Sequence, residues 1–246
     1  GTNIYSGGTT VSNGILNLQN SSALGSGSAS VTSGAQLQLQ GGITPSNTLT
    51  INGTGGGTGA LLNVSGTNTY SGAVTLGAAS TIGSTAGTLT LSNTNAISGT
   101  QNLTFAGAGD TTVSGIIATS TGTVTKNGAG TTTLSGTNTY SGGTTVNAGI
   151  LSISSANNIG GGGANLTLGG GTLNATGDVT TSGSVGVTDN STLTTAVTKT
   201  TAFTGLLTGS DTKTLTLSGS GTNSLSQVAV NNADTFTVAG PIGGSQ

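Results

Sequence analysis

The sequence predicts an all-β chain wound as a β-solenoid, a stack of about eleven coils of roughly 22 residues each. Three observations carry that expectation. A sixteen-residue phrase, GTNIYSGGTTVSNGIL at Gly1 to Leu16, returns as GTNTYSGAVTL from Gly66 to Leu76 and as GTNTYSGGTTVNAGIL from Gly136 to Leu151. Short runs of alternating apolar and polar residues fill the intervals. The aliphatic side chains are too sparse to close a globular core on their own.

The phrase sets the coil length. Its copies start at Gly1, Gly66 and Gly136, so the two intervals are nearly equal. Read as three coils each, they give coils of about 22 to 23 residues, within the range of solenoid repeats. At a strand spacing of about 4.8 Å, eleven such coils make a rod of about 50 Å. Fainter echoes lie at TLTLSNTNAIS (Thr88 to Ser98) and TLTLSGSGTNSLS (Thr214 to Ser226), which share the lead-in of TTTLSGTNTYS at Thr131 to Ser141.

The strands follow from period-two alternation, which gives each run one dry and one wet face. AQLQLQ (Ala35 to Gln40), TLTI (Thr48 to Ile51), NLTF (Asn102 to Phe105), ILSI (Ile150 to Ile153), NLTL (Asn165 to Leu168) and TFTV (Thr235 to Val238) all read this way. Gly, Asn or Ser bounds each run and supplies the backbone freedom and local bonds of a turn. Nothing shows a helical period. With only two prolines, Pro45 and Pro241, ladder donors remain available nearly everywhere.

A single unit of this length buries too few aliphatics to offset the entropy of ordering its backbone. Stacking reverses the balance, because each coil pairs its backbone with the coils above and below and the aliphatics merge into one column. Within the phrase, GTN and SGG read as corners, TTV as a short strand, SNG or NAG as the next corner, and IL as the start of the following strand. All three tyrosines, Tyr5, Tyr70 and Tyr140, occupy one slot of the phrase. That common context predicts a corner-packing role with the phenol tip in water. Asn3, Tyr5 and Gly7, then Asn68, Tyr70 and Gly72, then Asn138, Tyr140 and Gly142 are the structural positions of the motif.

A Leu-rich strand followed by SGTNTYSGGTTVNAGIL resembles the autotransporter-associated β-strand repeat of bacterial autotransporter passenger regions. The likeness is strongest over Thr131 to Leu151, good over Gly1 to Leu16 and partial over Gly66 to Leu76. It implies a right-handed parallel β-helix exported to the bacterial cell surface or beyond it, ordinarily followed by a translocating barrel. The resemblance speaks for architecture and location more than for any activity.

Composition excludes several classes of function. With 3 Lys, no Arg and a net charge of -2, the chain has no basic stripe for nucleic acid or for an anionic membrane. No stretch approaches the length of an apolar membrane span, and the absence of Cys is neutral as to compartment. Parallel β-helices house polysaccharide lyases, but those need clustered acids with Lys, Arg or His. Here there is no His, Arg, Glu or Cys, so an enzyme is not expected.

Asp189, Asp211 and Asp234 follow one another at intervals of about one coil. Stacked on one face, they would repel unless a cation such as calcium bridged them. The stronger reading is that each sits in an ordinary turn and bonds its own backbone, so no cofactor is expected. GAGD at Gly107 to Asp110 resembles a calcium-binding nonapeptide turn without tandem copies. The clusters GTGGGTG (Gly53 to Gly59) and GGGG (Gly160 to Gly163) lack the Lys and hydroxyl of a phosphate loop. The Asn-x-Ser/Thr triplets follow from composition alone.

Thr-x-Thr pairs start at Thr88, Thr123 and Thr214. An ice-binding solenoid would need one such pair in every coil at constant spacing, and these starts are irregular. Ice binding is therefore a remote alternative. The principal expectation is a structural extracellular β-solenoid, residues 1–246 as one segment, acting as a stalk, fibre or matrix filament. The alternative is an adhesin that recognises a surface glycan or protein. Gly1 enters in mid-phrase and Gln246 leaves without a capping element, so the segment is expected either to continue in a longer polypeptide or to stack head to tail. A nearly uncharged exterior also permits lateral bundling.

Overall fold

The computed structural model describes residues 1–161, 163, 165–210, 212–230 and 237–240, with backbone alone for 226–230. Thr235 and Phe236 of the TFTV run, and Pro241, lie outside the described residues. Among the described residues every strand pair is parallel, and each partner lies one winding away in the chain. The result is a β-solenoid of about ten turns. Each complete turn has three faces.

The first face begins with Thr9–Val11 and continues upward through Ala29–Val31, Leu49–Gly53, the early part of Val74–Ser84, Ile97–Gly99 and Ile117–Ala118. The second begins with Ile15–Leu18 and passes through Gln36–Gln40, Leu61–Ser65, the later part of Val74–Ser84, Leu103–Ala106, Val124–Lys126, Thr144–Val146 and Leu166–Gly169. The third is a nine-stranded sheet: Thr67–Tyr70, Thr88–Leu91, Asp110–Val113, Thr131–Leu134, Ile150–Ile153, Thr172–Ala175, Ser191–Thr195, Thr214–Gly219 and Thr237–Ala239. Val74–Ser84, Thr200–Gly209 and Thr222–Val230 run from the first face to the second as single strands, joining those faces into one 17-stranded sheet.

The alternation read from the sequence is the alternation of burial. Thr88–Leu91 and Thr131–Leu134 bury their second and fourth residues and leave the first and third partly exposed. On the third face the inward positions stack in register as Tyr70, Leu91, Val113, Leu134 and Ile153. All five are at most 1% exposed. Each such aliphatic contributes about 1.5 to 3 kcal/mol by leaving water, and the column has no break between coils that would divide it into separate cores.

Among the described residues the structure contains no α-helix. One 3₁₀ turn, Ala156–Ile159, takes the place of a strand on the first face. Its origin is local: Asn158 Oδ1 accepts the backbone N–H groups of Ser154 and Ser155, both at 2.9 Å, and Ser155 caps the turn. These short side-chain bonds compete with the ladder, as Asn and Ser commonly do.

Coil length varies more than the sequence suggests. Leu151 lies over Thr132 and Leu217 over Leu193, and the first of these windings takes several residues fewer than the second. This corrects the reading of both motif intervals as three coils. Thr9 and Val74 do stand in one first-face column, three coils apart, through Ala29 and Leu49. The equivalent Thr144–Val146, however, lies on the second face between Val124–Lys126 and Leu166–Leu168. The longer interval therefore spans three coils and one further face, and the third copy of the motif is rotated by one side of the rod. The GTN corner is also narrower than expected. In the second copy Gly66, at φ +81°, makes the turn, and Thr67–Tyr70 is already strand.

Candidate functional site

The motif corner is built from an Asn, a Tyr and a Gly, and each ties one coil to its neighbour. Asn68 is fully buried. Its Oδ1 accepts the N–H groups of Gly42 at 2.9 Å and Ile43 at 2.8 Å from the coil below, while Nδ2 donates to Asn63 Oδ1 at 2.5 Å and Ser65 O at 2.8 Å. Asn138 repeats the arrangement: Oδ1 accepts from Ile117 N at 2.8 Å, and Nδ2 donates upward to Asn158 O at 2.5 Å. Asn3 makes the upward bond, to Ala23 O at 2.7 Å. A carboxamide supplies both a donor and an acceptor at one point, so an Asn at a corner can close ladder groups on two coils.

The tyrosines correct an expectation. Tyr70 and Tyr140 are 0% exposed, and only Tyr5, on the first coil, is open, at 42%. The phenol tips of Tyr70 and Tyr140 are therefore inside the rod, and burial raises the pKa of both well above the usual phenol value. Each finds an internal partner. Tyr5 and Tyr140 meet the hydroxyl of the Thr four residues on, Thr9 at 2.8 Å and Thr144 at 2.7 Å. The second copy has Val74 in that place, and there Tyr70 donates instead to Asn47 O at 2.9 Å.

The glycines allow coils to approach. A Cβ on Gly72 would fall on the Asn47 carbonyl oxygen, and one on Gly142 on the carbonyl of Thr121. A Cβ on Gly7 would meet no atom within 4 Å.

Lys126 escaped the sequence reading. TVTK reads as an alternating strand end, which puts Lys at an inward position, and the structure buries it at 2% exposure in register between Phe105 and Val146. Its Nζ donates to Gly128 O and to Ala148 O at 3.3 Å, carbonyls of two successive coils. Desolvation lowers its pKa to about 8, with Asp110 opposing the shift. The alternation was the available signal, and the charge concealed it.

Of the three candidate acids, only Asp189 lies among the described residues. Asp189 is exposed and already paired: Oδ1 accepts from Lys213 Nζ and from Asn190 N, at 2.9 and 2.8 Å. The Lys213 bond and that backbone bond, with the Lys213 charge, hold its carboxyl below the usual range. Asp211 and Asp234 lie outside the described residues. Among those that are described, no group of three or more potential ligands comes together to hold a metal.

The 3₁₀ turn leaves a polar groove of about 400 Å³ lined by Ala156, Asn157, Gly160, Gly163, Thr180, Thr181 and Ser182. No helix among the described residues is long and apolar enough to cross a membrane.

No curated protein and no solved structure matches the chain. The passenger-associated-transport-repeat family matches it at residues 1–18 and 124–153. Those segments hold the first and third copies of the motif, together with the buried Lys126. The match over these two segments agrees with the resemblance of the motif to an autotransporter passenger repeat.

Proposed function

We propose that this chain is a structural segment of an exported passenger, a stalk, fibre or matrix filament at the bacterial surface. The observation that carries the reading is the continuity of the coil-to-coil ladder. Where a coil lies on either side, the Asn, Tyr and Gly of the motif are spent on joining one winding to the next. The exterior is rich in hydroxyls and amides, with 3% charged residues overall, so neighbouring rods repel one another little. Transfer of the repeats' setting to this chain supports a secreted or surface location.

Electron microscopy of the purified chain tests the assembly. Filaments longer than one stacked rod of about 50 Å, or bundles of such rods, are expected. Dispersed single rods at all concentrations would overturn self-association. Protease accessibility on intact producing cells tests the location.

A second reading, an adhesive passenger that grips a glycan, is favoured by the groove beside the 3₁₀ turn. Its hydroxyls, amides and glycine backbone suit a polar ring. Saturable binding on a glycan array, lost in Asn157→Ala, would favour adhesion over a purely structural role.

A further inference from the structure

The third face has an order that the sequence conceals. Its outward residues stand in two vertical columns two residues apart along each strand. One column reads Thr69, Thr90, Thr112, Thr133, Ser152, Asn174, Thr194 and Ser218 without an interruption in register. The other reads Thr67, Thr88, Asp110, Thr131, Ile150, Thr172, Thr192 and Thr216. Unequal coil lengths scatter the third-face Thr-x-Thr pairs along the chain, whereas the pair that starts at Thr123 belongs to the second face, where Thr125 stands between Thr104 and Thr145. Across the rod the pairs Thr67/Thr69, Thr88/Thr90, Thr131/Thr133 and Thr192/Thr194 all fall on the same side.

We propose that this threonine face binds the surface of ice. Successive strands lie about 4.8 Å apart, and residues i and i+2 about 6.7 Å apart, so the outward side chains form a two-dimensional array, in which every position from Thr67 to Thr133 except Asp110 is a threonine. Those two repeats are close to the oxygen repeats on exposed planes of hexagonal ice. Across eight strands the lattice extends about 34 Å along the rod, which allows many weak contacts to act together.

The side chains are free for such a ligand. Among the described residues, the hydroxyls of Thr69, Thr90, Thr112 and Thr133 have no protein hydrogen-bond partner, and each of these residues is partly exposed. Higher on the rod some members pair with one another, Thr194 with Ser218 at 2.8 Å and Asn174 with Ser152 at 3.5 Å. The patch from Thr67 to Thr133 is therefore the most available. Asp110 is its one charge, and that carboxylate is turned to the Thr131 N–H at 2.8 Å.

Chemistry selects water over other occupants. A dry contact with a second copy would bury rows of hydroxyls, and each one left unpaired costs about 1 to 3 kcal/mol. A sugar surface is ordinarily met by aromatic rings, and this face presents none among its described outward residues. An ordered water layer satisfies the hydroxyls and lets the threonine methyl groups sit between water rings.

The test uses the folded chain, Thr112→Lys in the middle of the patch, and Thr145→Lys at an outward position of the second face. The wild-type chain is expected to facet growing ice crystals, to separate their melting and growth temperatures, and to enter a slowly grown ice hemisphere. Thr112→Lys should lower that incorporation by about tenfold or more, with unchanged circular dichroism, and Thr145→Lys should leave it intact. Round, unfaceted crystals at every soluble concentration would overturn the proposal. Equal loss in the two variants would overturn it too. So would an association of chains that Thr112→Lys disperses while ice growth is unaffected.

Discussion

Tyr140 donates its phenolic hydrogen to Thr144 Oγ1 across 2.7 Å, and that hydroxyl passes its own hydrogen to Ile159 O at 3.0 Å. The relay links the motif strand to its own next strand and to the coil above, inside a core where no water competes. Tyr140→Phe keeps the ring and the Thr144–Ile159 bond, so it should cost only about 1 kcal/mol. Tyr140→Ala removes the ring as well and should cost about 3 to 5 kcal/mol. Urea denaturation of the three forms checks the ranking.

Asn68→Ala should be more damaging than Asn3→Ala. The first change takes the acceptor from the buried Ile43 N–H and from the N–H of exposed Gly42, a loss of about 1 to 3 kcal/mol. Asn3 is exposed on the first coil and makes a single bond, to Ala23 O. Amide hydrogen exchange resolves the effect: Gly42 and Ile43 should exchange faster in Asn68→Ala, with distant coils unchanged.

The glycines of one motif slot should respond differently. Gly7→Ala meets open space and should be neutral, whereas Gly72→Ala and Gly142→Ala drive a methyl group into the carbonyls of the coil below. Expression and melting temperature of the three variants decide the point. Equal tolerance would mean that the coils can separate more easily than their ladder implies.

Lys126 should make stability rise with pH over a limited window. An unfolded lysine keeps its proton to about 10.5, and the buried one releases it at about 8. Between those values the unfolded chain binds more protons, so raising the pH favours the fold. Tyr70 and Tyr140 act in the opposite sense from about pH 10.0, because unfolded phenols ionise while the buried ones hold their protons. The expected profile climbs from pH 8 to about pH 10 and then turns down. Lys126→Met should remove the climb and spare the decline, as denaturant titrations at fixed pH values would register.

Calcium should leave the melting temperature unchanged, because the Asp189 carboxylate already holds Lys213 Nζ at 2.9 Å. A calcium-dependent rise that Asp189→Asn cancels would show instead that the acidic positions act together.

Much of the fold was legible in the sequence because parallel stacking repeats one local pattern. The runs at Ala35 to Gln40, Asn102 to Phe105 and Ile150 to Ile153 each coincide within a residue with a strand, Gln36–Gln40, Leu103–Ala106 and Ile150–Ile153. The phrase itself divides as read, with Thr9–Val11 and Ile15–Leu18 on either side of the SNG corner. The burial of Lys126 was less legible, since its formal charge argues for solvent and only its place in the alternation argues against it. The tyrosine tips were misread for a related reason: a phenol's partner can lie on the next coil or four residues ahead, and composition does not say which.

The sequence by itself determined that this chain is all strand and turn, that it must stack to bury its aliphatics, and that Asn, Tyr and Gly recur at one kind of corner. Only the tertiary structure decided which residues stand above one another. Strand patterns fix what faces inward, but vertical neighbours depend on the summed length of three strands and three corners. That sum changes from winding to winding, and it is smaller from Thr132 to Leu151 than from Leu193 to Leu217. For that reason the third motif turned onto another face, and scattered threonines became a single aligned surface.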